Sequence, residues 1–278
     1  MKVLSVGELH SAEKRLKRLI PESLTVYGFL YGINRNKPST LEVVVDAWPD
    51  FKVIICRPDS RKKGALDHRK RVTVYSTDAQ ILRRVLAEEN AIDWSIRSFL
   101  GGFNTRHAPI LKQVASARGI GVRWFTNAHL MYLPDCSLLP SSEVDSETES
   151  RISPLNISHV ELVNKTWKFG GDENGYRTIE NLISNFPSCC ITDGQGRPVS
   201  WILVYDYCAM GMLHTLPEHR GKGYAKVLIC SMAKKLQALG YPVYCFVEEE
   251  NAVSHRLFTK LGFIEDPSYR ATWFEFNF

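Results

Sequence analysis

The chain of 278 residues carries 35 Lys and Arg against 30 Asp and Glu, a net charge of +5, with 44% hydrophobic and 23% charged residues. That composition excludes a disordered, collagen-like or disulfide-scaffold protein. The longest apolar stretches, such as Val53 to Cys56 and Trp201 to Tyr205, fall far short of the roughly 20 residues of a membrane-spanning helix, so no transmembrane segment is expected, and at about 150 residues per domain the length points to two domains.

Met1 to Pro21 sets Lys14, Arg15, Lys17 and Arg18 among Leu9, Leu16, Leu19 and Ile20 at helical spacing. This reads as a first helix with a basic solvated face. A targeting helix is the alternative, weakened by Glu8 and Glu13 because transit peptides are poor in acids. Leu24 to Ile33 and Phe51 to Cys56 are rich in β-branched and aromatic residues and are predicted as strands, with turn chemistry at Asn36-Lys37-Pro38-Ser39 between them. The run from Arg57 to Val72 holds seven Lys or Arg against two Asp. It lacks the aromatics that would stack on bases, so it reads as a solvated loop and nucleic acid is not an expected partner. Ile81 to Glu89 and Ile110 to Arg118 are predicted helices, which makes the first half a mixed α+β unit.

Ser141 to Ser150 contains four acids, no base and one apolar residue, Val144. Such a stretch cannot bury enough surface to offset its ordering entropy, so it is predicted to be a linker. The expected division is therefore an N-terminal α+β domain over 1–140, an acidic linker over 141–150 and a second domain over 151–278.

In the second domain, helices are predicted near Ser158 to Trp167 and Tyr176 to Phe186. A strand, Ser188 to Thr192, follows, and the turn Asp193 to Pro198 reverses the chain into a strand over Val199 to Tyr205. Seven cysteines without a Cys-x-x-Cys pair point to reduced, buried thiols. Cys189 and Cys190 are successive strand positions facing opposite ways, which argues against a shared metal or a disulfide there. No metal is expected. A strand over Met210 to Leu216 leads into Pro217-Glu218-His219-Arg220-Gly221-Lys222-Gly223-Tyr224-Ala225, and the apolar series Ala225, Leu228, Ile229, Met232, Leu236, Leu239 predicts a helix ending at Gly240. Further on come a strand over Val243 to Val247, a short helix opened by Asn251 and closed by Gly262, and a last strand over Thr272 to Phe276.

Arg220-x-x-Gly223-x-Ala225 between a strand and a helix places small residues where backbone amides can approach a ligand, at the positive end of a helix dipole. This suits a pyrophosphate, and Arg220 and Lys222 add charge at the same place. The loop fits neither the dinucleotide fingerprint nor the Walker loop, whose Gly-Lys-Ser/Thr is absent.

A strand, Arg-x-x-Gly-x-Ala, a helix, a strand, then Asn251 followed by Leu257-Phe258-Thr259-Lys260-Leu261-Gly262-Phe263 resembles the acyl-coenzyme A binding core of the GNAT superfamily of N-acyltransferases. The resemblance implies an α+β fold, a mixed, splayed sheet flanked by helices, in the C-terminal half. It also implies acyl-CoA as co-substrate, with the pyrophosphate on Arg220, Gly221, Lys222, Gly223, Tyr224 and Ala225. The pantetheine arm would lie along the backbone of Leu213, His214, Thr215 and Leu216, with Asn251 against the cofactor arm. Val26-Tyr27-Gly28, Trp48-Pro49-Asp50-Phe51, Asn164-Lys165-Thr166-Trp167 with Gly170-Gly171-Asp172-Glu173, and Thr215 to Arg220 resemble, more closely, the glycine N-acyltransferase family. The implied reaction is transfer of an acyl group from acyl-CoA to the amine of glycine or a similar amino acid, by a monomer. The implied location is mitochondrial, with cytoplasm or the endoplasmic reticulum surface as alternatives.

Such a transfer needs a proton acceptor for the amine and a donor polarising the thioester oxygen, the latter expected from the backbone of Leu213 to Thr215. In the family the base is a glutamate eleven residues before the loop arginine, and that position here is Ala209. The tyrosine that serves the thiolate corresponds to Phe258. His214 as base is one replacement. A water relay to Glu248, Asp206 or Glu218, or positioning alone, is another. Two further possibilities stay open: a protein that binds acyl-CoA without turnover, and an acyltransferase acting on peptides. For the acceptor carboxylate, Lys168 and Arg177 are the candidate cations.

Overall fold

The computed structural model describes residues 1–62, 70–139 and 146–278, and in it the chain runs twice through one order of elements. The first pass comprises β1 (Lys2–Val3), α1 (Val6–Lys17), α2 (Leu24–Ile33), β2 (Leu41–Val45), β3 (Val53–Pro58), β4 (Arg71–Ser76), α3 (Ala79–Ala87), β5 (Ser98–Asn104), α4 (Ala108–Ala117) and β6 (Val122–Tyr132). After a short helix α5 (Ser146–Ser150) the second pass gives β7 (Ile152–Ser153), α6 (Val160–Thr166), α7 (Glu173–Asn185), β8 (Ser188–Thr192) and β9 (Pro198–Val204). It continues through β10 (Met210–Thr215), α8 (Tyr224–Ala238), β11 (Tyr244–Glu248) and α9 (Ala252–Lys260) to β12 (Ile264–Phe276). Strand pairing repeats as well: β1–β2, β2–β3 and β3–β4 are antiparallel and β4–β5 parallel, while β7–β8, β8–β9 and β9–β10 are antiparallel and β10–β11 parallel.

By contacts the chain forms two compact units, which differ from consecutive segments. The first contains Met1–Leu130, Glu248–Glu250 and Asp266–Phe278; the second contains Met131–Val247 and Asn251–Glu265. The expected second domain over 151–278 thus loses its last strand to the first unit. There β12 runs antiparallel to β5, with Ala271 opposite Asn104 and Phe276 opposite Ser98. Burial explains the placement. Phe274 and Phe276 enter the first unit's core, Phe276 edge-on to Trp94 at 5.1 Å, and the Tyr269 hydroxyl donates to the Gly102 carbonyl at 2.7 Å. Glu275, whose side chain is fully buried, is held by Arg97 at 2.6 Å and by Arg123. Of the expected linker, 141–145 lies outside the described residues, and Ser146–Ser150 is helical.

One predicted strand is a helix. Leu24 to Ile33 forms α2, in which every residue but Ile33 is buried. An element apolar on all sides carries no period, so its β-branched and aromatic content misled the reading. Within the basic run, 63–69 lies outside the described residues; of its described flank, Arg57 pairs with Glu42 at 2.8 Å and Arg61 with Asp59 at 2.8 Å. The seven cysteines are all free and buried. Among the described residues no helix is long and apolar enough to cross a membrane.

Candidate functional site

The second unit's sheet opens where β10 leaves β11. The two parallel strands share one paired position, Met210 with Cys245, so the edge of β10 beyond it has no strand alongside. On its other side β10 stays with β9, Gly211 opposite Leu203 and His214 opposite Trp201, with a register shift between them. Met212 sits in that bulge with φ +51°, a left-handed conformation uncommon for a side chain of its size. The bulge turns the end of β10 outward, and Ser200 fixes that end: its hydroxyl donates to the His214 carbonyl at 3.0 Å and lies 2.7 Å from the Thr215 hydroxyl.

The chain then makes a tight turn, Pro217–His219, and enters α8 through Gly221 and Gly223, at φ +78° and +77°. A Cβ at either glycine would have no heavy atom within 4 Å, so both border open space. Gly223 caps α8 without a side chain to occupy the helix end. Among the described residues the amides of Gly221 to Lys226 find no acceptor within the chain, and Arg220, Lys222 and Lys226 have no acidic partner. Six consecutive amides without an acceptor, a helix end carrying about half a positive charge and three cations suit a diphosphate. Arg220 meanwhile donates through Nε to the Thr215 carbonyl at 3.1 Å. Tyr224 is buried, with the Arg151 guanidinium 5.9 Å over its ring.

His214 is half-buried, stacked on the buried indole of Trp201, and neither ring nitrogen is bonded among the described residues. Burial, reinforced by the nearby Arg220 charge, holds its imidazole below the usual histidine range, so it is neutral at pH 7. Ala209 is buried, and its carbonyl accepts from the Tyr205 amide at 2.8 Å. Phe258 is also buried, edge-on to Phe263 at 5.0 Å. Both positions are thus given to packing.

Asn251 caps α9: its Oδ1 accepts from the Ser254 amide at 3.0 Å. Glu248 ends β11 and belongs by its contacts to the first unit, whereas His214, Arg220 and the glycine loop lie in the second. Lys168 and Arg177 are exposed; Lys168 lies 5.4 Å over the Phe169 ring and Arg177 pairs with Glu173 at 2.8 Å. The Asn-Lys-Thr-Trp and Gly-Gly-Asp-Glu strings have a structural role. The Asn164 side chain donates to the Asp172 carbonyl at 3.1 Å and accepts from the Gly171 amide at 3.0 Å, pinning the corner between α6 and α7. Sequence reasoning missed Ser200, whose only signal is a hydroxyl in an otherwise apolar strand, and Lys226, one helical position beyond the loop.

A family model described as aralkyl acyl-CoA:amino acid N-acyltransferase matches residues 1–187, and one described as FR47-like protein matches residues 190–273. The glycine N-acyltransferase of Rattus norvegicus is 30% identical, covering 95% of each chain. An X-ray structure of a Drosophila protein superposes with a TM-score of 0.78 at 18% identity, covering 99% of this chain and 97% of that one. A GCN5-related N-acetyltransferase-like protein from Streptococcus suis gives a TM-score of 0.53 at 18% identity, covering 97% of this chain and 100% of its own. The last of these likenesses shows the GNAT fold.

Proposed function

This chain belongs to the aralkyl acyl-CoA:amino acid N-acyltransferase family, and we propose that its second unit transfers the acyl group to glycine, with His214 as the proton acceptor. The chain is an N-acyltransferase that uses acyl-CoA and an amino acid. The observation that carries the site assignment is the run of six unpaired amides from Gly221 to Lys226, beside two left-handed glycines that border open space. This cradle fits the diphosphate of coenzyme A. A helix end with a capping carboxylate would repel it.

Acyl-CoA supplies an activated thioester carbonyl when bound. The chain's own residues do the rest. In this reading the open edge of β10, continued to Leu216, receives an extended arm through its backbone groups, and an amide between Leu213 and Thr215 donates to the thioester oxygen, the Leu216 amide being bonded to the Val199 carbonyl at 2.9 Å. Arg220 would exchange the Thr215 carbonyl for phosphate oxygens, a stronger charge-assisted bond. An aliphatic amine is mostly protonated at pH 7. The neutral imidazole of His214, with both nitrogens unbonded among the described residues, is suited to take that proton. A water relay to Glu248 is the alternative route for the same proton. Lys168 and Arg177 stand as the candidate partners of the acceptor carboxylate, Arg177 after release from Glu173. The mitochondrial location and the monomeric state rest on the family resemblance; fractionation of cells making the tagged chain, and sedimentation of the purified one, test them.

The deciding experiment measures thiol release from a panel of aryl and alkyl acyl-CoA donors with and without glycine. Release that depends on glycine is expected. Release equal with peptides and absent with glycine would overturn the acceptor assignment.

A further inference from the structure

The topological counterpart of the β10–α8 junction in the first unit is the junction of β4 with α3, and it is built differently. Here the helix end is occupied: the Asp78 carboxylate accepts from the amides of Gln80 at 2.8 Å and Ile81 at 3.0 Å. A diphosphate has no place there. Beside this junction, however, lies a cavity of 290 Å³ at the end of β4. Leu19, Phe51 and Tyr75 give it apolar walls, Thr77 one polar edge, and Arg15, Arg18 and Lys52 its charge; no carboxylate lines it.

We propose that this cavity is a second binding site, for a small hydrophobic carboxylate. Its size is just under the roughly 300–1,000 Å³ common for small-molecule sites, so the ligand is small. Phe51 and Tyr75 are buried, which makes a wall that water alone covers poorly. Arg15 is fixed in place, its guanidinium 4.6 Å over the Phe51 ring and donating to the Pro49 carbonyl at 2.9 Å and to Asp50 at 3.0 Å. Arg15 is thereby partly neutralised. Arg18 and Lys52 are not: both are exposed, and among the described residues neither has an acidic partner. An inorganic anion would satisfy the cations and leave the wall wet, and a neutral apolar ligand would do the reverse. An aryl or alkyl group carrying one carboxylate satisfies both, with Arg18 able to form a two-pronged bond. The choice of probes rests on the transferase reading, since N-acylglycines and the free acids corresponding to the acyl donors share this chemistry; the cavity does not.

Equilibrium dialysis of the full chain with benzoylglycine and, separately, benzoate, in the absence of acyl-CoA, tests the proposal. Saturable binding with a Kd of about 1 mM or tighter is expected for at least one probe. Arg18→Glu combined with Lys52→Glu should weaken it about tenfold or more, and Leu19→Trp should do the same by filling the cavity with the cations intact. Gly223→Trp, in the other unit, should leave it unchanged. Binding of benzoylglycine alone identifies the conjugate as ligand; equal binding of both identifies any such acid. No binding of either probe, unchanged binding in the double variant and in Leu19→Trp, or loss in Gly223→Trp would each overturn the proposal. Because no acyl-CoA is present, failure here leaves the thiol-release result standing, and failure of thiol release leaves this one.

Discussion

The His214 imidazole stacks on the Trp201 indole with ring centroids 5.1 Å apart and planes inclined by 26°. This contact removes one face of the ring from water and, with Arg220, keeps it neutral. Its folded value lies below the 6.5 of a free histidine, so the acceptor form persists at neutral pH and is lost only as pH falls through that lower value. The acid limb of kcat/KM should therefore lie below pH 6.5. In His214→Gln the limb should vanish and kcat should fall about a hundredfold, while KM for acyl-CoA stays within a factor of about two, because the loop is untouched. An unchanged acid limb in the variant would transfer the base role elsewhere.

Gly223→Trp places a large side chain in the open space beside the unpaired amides and forces φ +77° on a residue with a Cβ. The strain costs about 1–2 kcal/mol of stability. The larger effect is on the ligand, and calorimetry with coenzyme A should show binding weakened a hundredfold or more, roughly 3 kcal/mol, with the circular-dichroism spectrum retained.

Asn164 pins the α6–α7 corner so closely that a Cβ on Gly175 would stand 2.4 Å from its Oδ1, and one on Gly170 would stand 2.4 Å from its carbonyl oxygen. Gly175→Ala should destabilise the protein by about 2 kcal/mol through overpacking. Asn164→Ala should cost about 1 kcal/mol by removing the bond to the exposed Gly171 amide, while the Asp172 carbonyl keeps the Tyr176 amide at 3.0 Å. Urea unfolding followed by tryptophan fluorescence measures both.

The buried Glu275 depends on two cations whose own side chains are partly exposed. Replacing both Arg97 and Arg123 by Met strands that carboxylate and should destabilise the first unit by about 3 kcal/mol. Adding Glu275→Leu to the pair should recover most of the loss, since the uncompensated charge is then gone. Thermal unfolding of the double and triple variants provides the comparison.

Much of the second unit was legible because its elements are bounded by residues with one conformational meaning. Gly221 and Gly223 mark a loop, Gly240 a helix end, and Asp193-Gly194 a reversal, and the strands and helices predicted between them lie within a few residues of β8, β9, β10, α8, β11 and α9. The first unit hides its signals. In β5, Gly101 and Gly102 look like loop chemistry, yet they stand in a strand because Trp273 and Thr25 abut them: a Cβ on Gly101 would meet the Trp273 indole nitrogen at 2.9 Å and one on Gly102 the Thr25 hydroxyl at 2.6 Å. β4 begins inside the basic run and was absorbed into it. In the candidate site, the glycine loop stood out by its place between a strand and a helix, and His214 by lying on that strand. The roles of Ser200 and Trp201 were not legible, because they follow from the register of β9 against a bulged β10, which spacing along one strand does not encode.

The return of β12 to the first unit has a consequence for how the chain is made. Strand β12 begins roughly 160 residues after β5 ends, which at about 5–20 residues per second leaves β5 without its antiparallel neighbour for roughly 8 to 32 s of translation. Throughout that time the ribosome-bound chain presents an open strand edge together with the core that Phe274 and Phe276 will later seal. That edge closes only once β12 has been made, and a fragment that stops before β12 keeps it open permanently.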